Sequence, residues 1–333
     1  MKLACALAAL TLAATAAGAA PARYRILERI PGPDGGWDFV RLDPGHDRLW
    51  MTRGTSVMAI DLASGKVTAG LSPGVRLHDV LPVNDGQELL ITAGTANAAV
   101  FADATTGATI ATAPTGKNPD AAEFDPATGL VLVMDHDGGE VVLIDPREHR
   151  AVGQIQIGGG LEVAAVDGKG RAFVNVEDKN QTVVLDIKAR KVERRIALPG
   201  CDGPTGIAYV ARRNWLIASC DGSTDVVDAA TGVLIKTLKT GKAADGVAYD
   251  PRRELAFVAG REGTLSVISL KGGRPAVVQV LKTEANNRTL AVDPRTGRVY
   301  LPVAQLASPG PGQRPAPVAG TFHVLVVGAA NAK

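Results

Sequence analysis

The sequence predicts an all-β fold, a seven-bladed β-propeller of four-stranded antiparallel blades, from three observations. A short phrase recurs seven times in register, each copy runs into similar turn chemistry, and no stretch keeps a 3.6-residue apolar period. The phrase stands at Asp38-Phe-Val-Arg-Leu-Asp43-Pro44, Asp79-Val-Leu-Pro-Val-Asn84, Asp120-Ala-Ala-Glu-Phe-Asp125-Pro126 and Glu162-Val-Ala-Ala-Val-Asp167. It returns at Thr205-Gly-Ile-Ala-Tyr-Val210, Asp245-Gly-Val-Ala-Tyr-Asp250-Pro251 and Arg288-Thr-Leu-Ala-Val-Asp293-Pro294. The first residues fall at 38, 79, 120, 162, 205, 245 and 288, in steps of 40 to 43. Four short strands in a unit of that length match a propeller blade.

Taken in order, residues 1–22 read as a cleaved signal peptide. Lys2 starts an apolar run rich in Leu and Ala, and the small-x-small sites Ala17-Gly18-Ala19 and Ala20-Pro21-Ala22 follow it. Residues 24–30 are strand-like and precede the first repeat. The blades are expected at about 34–71, 72–114, 115–156, 157–198, 199–239, 240–281 and 282–327, within one domain spanning 23–328, and 329–333 form a tail. Inside each unit an apolar strand ends in a turn such as Asp125-Pro-Ala-Thr-Gly129, where Asp and Pro start the turn and Gly supplies positive φ. A second strand, a Gly-bearing turn, a third strand and a weaker fourth follow. The last unit shows three strands, so residues 24–30 are expected to supply its fourth and close the ring.

Composition bounds the function. Lys and Arg number 36 against 34 Asp and Glu, a net charge of +2, and aromatic residues make up 4 %. Binding of single-stranded nucleic acid needs a basic track and stacking rings, so it is the weakest reading. No later stretch reaches 18 apolar residues, so no transmembrane segment is expected. The mature chain reads as a soluble periplasmic or secreted monomer. Cys201 and Cys220 remain after cleavage and fall on one face of the fifth unit, which predicts a disulfide between them. No GxSxG, HExxH, Walker loop, dinucleotide fingerprint or CxxC occurs.

The phrase Thr-Gly-Lys-x-Pro/Ala-Asp, an apolar strand and Asp-Pro-x-x-Gly, complete at 115–129 and partial at 240–254, resembles the YVTN-type repeat of the YncE-like bacterial propellers. The literal Tyr-Val-Thr-Asn is absent, and Phe173-Val-Asn-Val176 comes nearest. The resemblance covers nearly the whole mature chain. It implies export and a binding or scaffold role, with a cell-envelope protein, a glycan or a small molecule as partner, and no single reaction.

The seven leading residues Asp38, Asp79, Asp120, Glu162, Thr205, Asp245 and Arg288 are expected to ring one mouth of the central channel, with His78 beside them. Crowded carboxylates repel unless a cation relieves them. His78, Asp79, Asp120, Glu162 and Asp245 are therefore candidate ligands for a divalent cation such as Ca²⁺ or Mg²⁺. A noncatalytic binding module is the leading reading. A metal-dependent lactonase-like hydrolase or lyase is the alternative, since a bound cation would polarise a carbonyl and activate water. Against both stands turn chemistry, because an Asp ahead of a strand readily caps nearby N–H groups. The loop at 304–320 carries Pro309, Pro311, Pro315 and Pro317 and reads as a lid over the mouth or a docking loop.

Overall fold

The computed structural model describes residues 23–308 and 315–330. The signal peptide expected at 1–22 lies outside the described residues. Each repeat forms one four-stranded antiparallel sheet, and seven such sheets form the ring of a β-propeller. Blade 3 shows the plan, with strands Pro119–Asp125, Leu130–Asp135, Glu140–Asp145 and Arg150–Gln156 laid side by side in sequence order from the axis outwards.

The turns form as the Asp-x-x-x-Gly pattern requires. The Gly129 N–H donates to the Asp125 carbonyl, while the Asp125 carboxylate accepts from the Thr128 N–H and hydroxyl at 3.0 and 2.7 Å. Gly129 sits at φ +72°, a region that glycine enters at little cost. Asp103 with Thr106, and Asp228 with Thr231, repeat the device.

Among the described residues the buried side chains group into seven apolar cores, one between each pair of neighbouring blades. Leu132, Met134 and Leu143 of blade 3 meet Leu161, Val174 and Val183 of blade 4 in one of them. A blade buries both faces this way, so its central strands read as apolar runs rather than clean alternations.

The closing interface joins blade 7 to blade 1 through Tyr300, Val324 and Val326 against Val40, Leu49 and Met51. The N-terminal strand Tyr24–Pro31 is the outer strand of blade 7, as expected from the missing fourth strand. It runs antiparallel to His323–Ala329, from Tyr24 opposite Ala329 to Pro31 opposite His323. That last strand extends to Ala329 rather than stopping at 327, and Ala330 N–H donates to the Arg23 carbonyl at 2.9 Å. The residues read as a tail from 329 therefore begin inside the sheet. Cys201 and Cys220 form a disulfide with Cα atoms 5.1 Å apart, joining the loop that leads into blade 5 to the end of its second strand. Among the described residues no helix is long and apolar enough to cross a membrane.

Candidate functional site at the channel mouth

The leading residues are held by side chains of the blade before them. The Thr289 hydroxyl of blade 7 donates to the Asp38 carbonyl at 2.7 Å, Thr52 of blade 1 to the His78 carbonyl at 2.6 Å, and Thr92 of blade 2 to the Asp120 carbonyl at 2.6 Å. Asn175 and Ser219 continue the device to the Thr205 and Ala244 carbonyls. These bonds are partly or fully buried, and they fix the backbone from which the mouth side chains project.

Three of those side chains converge. His78 Nδ1 lies 2.8 Å from Asp38 Oδ2 and 3.2 Å from Asp120 Oδ1. Arg288 reaches the other Asp38 oxygen at 3.0 Å and donates to the Trp37 carbonyl at 2.8 Å. Arg53, stacked 3.6 Å over Phe322, donates to the Pro33, Gly35 and Gly36 carbonyls and so secures the loop before Asp38. Burial lowers the Arg53 pKa to about 10. Burial, then the nearby Asp38 charge, pushes the Asp120 pKa up to about 8. Burial alone would lower His78, but the bond to Asp38 and the charge of Asp120 outweigh it and raise its pKa.

The far side of the mouth carries other clamps. His136 Nε2 lies 3.3 Å from Glu162 and 3.9 Å from Glu177, with its Nδ1 on Asp137 at 2.8 Å. The Glu162 bond is the main cause that raises the His136 pKa to about 10. Asp245 faces Arg261 at 2.7 Å and Arg288 at 3.7 Å. Thr205 turns its hydroxyl back to the Gly203 carbonyl and lines a hollow of about 390 Å³ with Glu177, Asp202, Asp221 and Asp245. A second hollow, about 420 Å³, is bounded by Gly36, Trp37, Asp38, Arg76, His78 and Arg288. A third, about 440 Å³, lies between Trp37, Arg261, Arg288 and the described ends of the long loop, Leu306, Pro315 and Pro317. The tip of that loop, expected to lid the mouth or dock a partner, lies outside the described residues.

Asp79 does not join this group. Its side chain is fully buried and forms two bonds with Arg41, Nε to Oδ1 at 3.0 Å and Nη2 to Oδ2 at 2.6 Å. The same carboxylate accepts the Val80 and Ala122 N–H groups. Arg41 also reaches Glu123 at 3.2 Å and the Ala122 carbonyl. Asp79 therefore ties blades 1, 2 and 3 together, and its oxygens are already taken. The expectation that it ligates a cation is corrected on that ground. The five candidate ligands also divide by place: His78 and Asp120 meet Asp38, Glu162 meets His136, and Asp245 meets two arginines.

Sequence reasoning passed over Arg41, Glu123, Gly94 and Asn118. Arg41 carried a signal, since it is a charge inside an otherwise apolar inner strand. Gly94 and Asn118 carried none, because their role depends on contacts between blades 2 and 3.

No family model matches the chain. Solved structures match its fold. A chain of the Kuenenia stuttgartiensis hydrazine synthase superposes with a TM-score of 0.71 at 14 % identity, over 81 % of this chain and 93 % of that one. A chain of the mitotic checkpoint complex superposes with a TM-score of 0.73 at 13 % identity, over 99 % of this chain and 98 % of that one. At such identity the likeness speaks for the propeller fold, which hosts unrelated functions.

Proposed function

We propose that this protein is an exported, noncatalytic binding module of the YncE-like, YVTN-repeat kind, working in the periplasm or outside the cell. Its ligand is a polar small molecule, a glycan or a charged group of a cell-envelope protein, taken at the channel mouth. One observation carries the reading. Six blades send charged side chains to the same mouth, acids pair with bases there, and open hollows lie between them. Convergent polar groups around a concave surface are the general mark of a ligand site.

A thermal-shift and glycan-array screen on the mature chain and on Arg261→Ala tests this. At least one compound is expected to raise the melting temperature of the native chain and to lose its effect in the variant. A ligand that binds both equally well contradicts placement at the mouth. Cell fractionation and N-terminal sequencing test export, with a mature chain starting near residue 23 as the expected result.

Hydrolysis of a lactone or ester is the second reading. The meeting of one imidazole with two carboxylates favours it, because such a set can hold a Lewis-acidic cation beside a hollow. A lactone and ester activity screen with added divalent cations decides between the two.

A further inference from the structure

We propose that Asp38, His78 and Asp120 form a metal centre for a divalent transition-metal ion, zinc in the first instance, with His78 Nδ1 as its nitrogen ligand. This rests on the reading of the mouth as the binding face and goes beyond it by naming an ion and its ligands.

One ligand atom from each of the three residues lies within 4.8 Å of the others, so a single ion can reach all three with small side-chain movements. The residues come from consecutive blades 1, 2 and 3. Each has its main-chain carbonyl fixed by a threonine of the preceding blade, as Thr289, Thr52 and Thr92 show. Such anchoring preorganises a ligand set. Arg288 bonds the Asp38 oxygen that does not face His78, so one oxygen is oriented and the other points at the imidazole. A nitrogen with two carboxylates suits zinc, manganese or iron, whereas Ca²⁺ and Mg²⁺ favour oxygen-only sets. Three protein ligands also leave a fourth position, and His78 and Asp38 both border the 420 Å³ hollow beside Trp37.

A second observation lies behind the imidazole. Among the described residues His78 Nε2 is buried with no partner, and so is the Oδ1 atom of Asn118, a residue 7 % exposed. Both atoms face Gly94: a β-carbon there would stand 2.8 Å from Nε2 and 2.7 Å from Oδ1. A donor and an acceptor thus meet across the space that glycine leaves, with a bridging water as the natural link. An acceptor at Nε2 keeps the proton on that nitrogen and leaves the Nδ1 lone pair for a metal, the usual arrangement behind a ligating histidine. Asn118 is in this account a positioning residue and Gly94 the residue that makes room for it.

The test uses the mature chain stripped of metal and titrated with Zn²⁺ and with Co²⁺. One ion per chain and a visible Co²⁺ ligand-field band are expected. Asp120→Asn, which keeps the shape of the side chain, and His78→Ala should each weaken Zn²⁺ binding at least 100-fold, and Gly94→Ala about tenfold. Nitrogen-15 NMR of the zinc-bound chain should show the His78 proton on Nε2, with that resonance shifted in Asn118→Leu. No uptake of either ion by a chain with a native melting curve overturns the proposal, as does uptake unchanged in Asp120→Asn. A ligand that still binds the stripped chain in an Arg261-dependent way would leave the mouth reading standing and remove the metal alone.

Discussion

At Asp79 and Asp135, burial decides what a carboxylate does. Asp79 is fully buried and fully bonded, and it holds Arg41 in its charged form against the cost of burial. Removing one partner of a buried pair leaves a charge without compensation. Asp79→Asn should therefore cost about 3 kcal/mol in urea unfolding while leaving zinc uptake unchanged. A loss of zinc uptake at full stability would place Asp79 back among the ligands. Asp135 is the opposite case. It is fully buried, among the described residues Oδ2 accepts only the Gly116 N–H of the main-chain donors and Oδ1 has no partner, and burial pushes its pKa up to about 7. The folded state therefore holds this proton more tightly than the unfolded chain, whose carboxyl titrates near 3.9. Stability from Asp135 is fully present below about pH 4 and falls as pH rises towards 7. Asp135→Asn should flatten that fall and raise stability at pH 8 by about 2–4 kcal/mol, measured by urea unfolding across pH 4–8. A pH profile identical to the native one would refute the assignment.

Among the elements, the repeated strands and turns were legible because they are local. Asp-Pro-x-x-Gly specifies its turn where it stands complete, at 125–129 and 293–297, and seven copies of the strand phrase specify seven blades. The closing strand was legible by subtraction, since blade 7 showed three strands and residues 24–30 were unclaimed. Deleting residues 23–31 should expose the outer edge of His323–Ala329 and speed amide exchange throughout blade 7. Unchanged exchange there would show that the strand does not close the ring. The side-chain contacts of the mouth were only partly legible. Asp38, His78, Asp120, Glu162, Asp245 and Arg288 could be placed at one mouth by repeat position. Whether each points to its neighbour or into the wall depends on partners in the next blade. Asp79 shows this: the sequence repeat aligns it with Asp38 and Asp120, but the strand register makes Val40, Val80 and Ala122 equivalent, so His78 takes that place and Asp79, one residue on, turns to Arg41.

On the scale of the whole molecule, seven inter-blade cores give a rigid ring, and the threonine bonds at the blade starts transmit that rigidity to the mouth. The opposite face also carries a hollow, about 960 Å³, lined by Asp43, His46, Asn84, Phe124 and Arg147. It is the larger of the two faces' hollows described, yet among the described residues its His46 pairs with Asp43 alone. Binding is therefore proposed for the mouth face, where charges from several blades meet. Hydrogen–deuterium exchange on the mature chain with and without Zn²⁺ tests that claim most directly. Slower exchange is expected in segments 36–39, 76–80 and 117–121, with no change in the turns at 43–47, 84–87 and 125–129. Slowing confined to those turns, or absent everywhere, would contradict it.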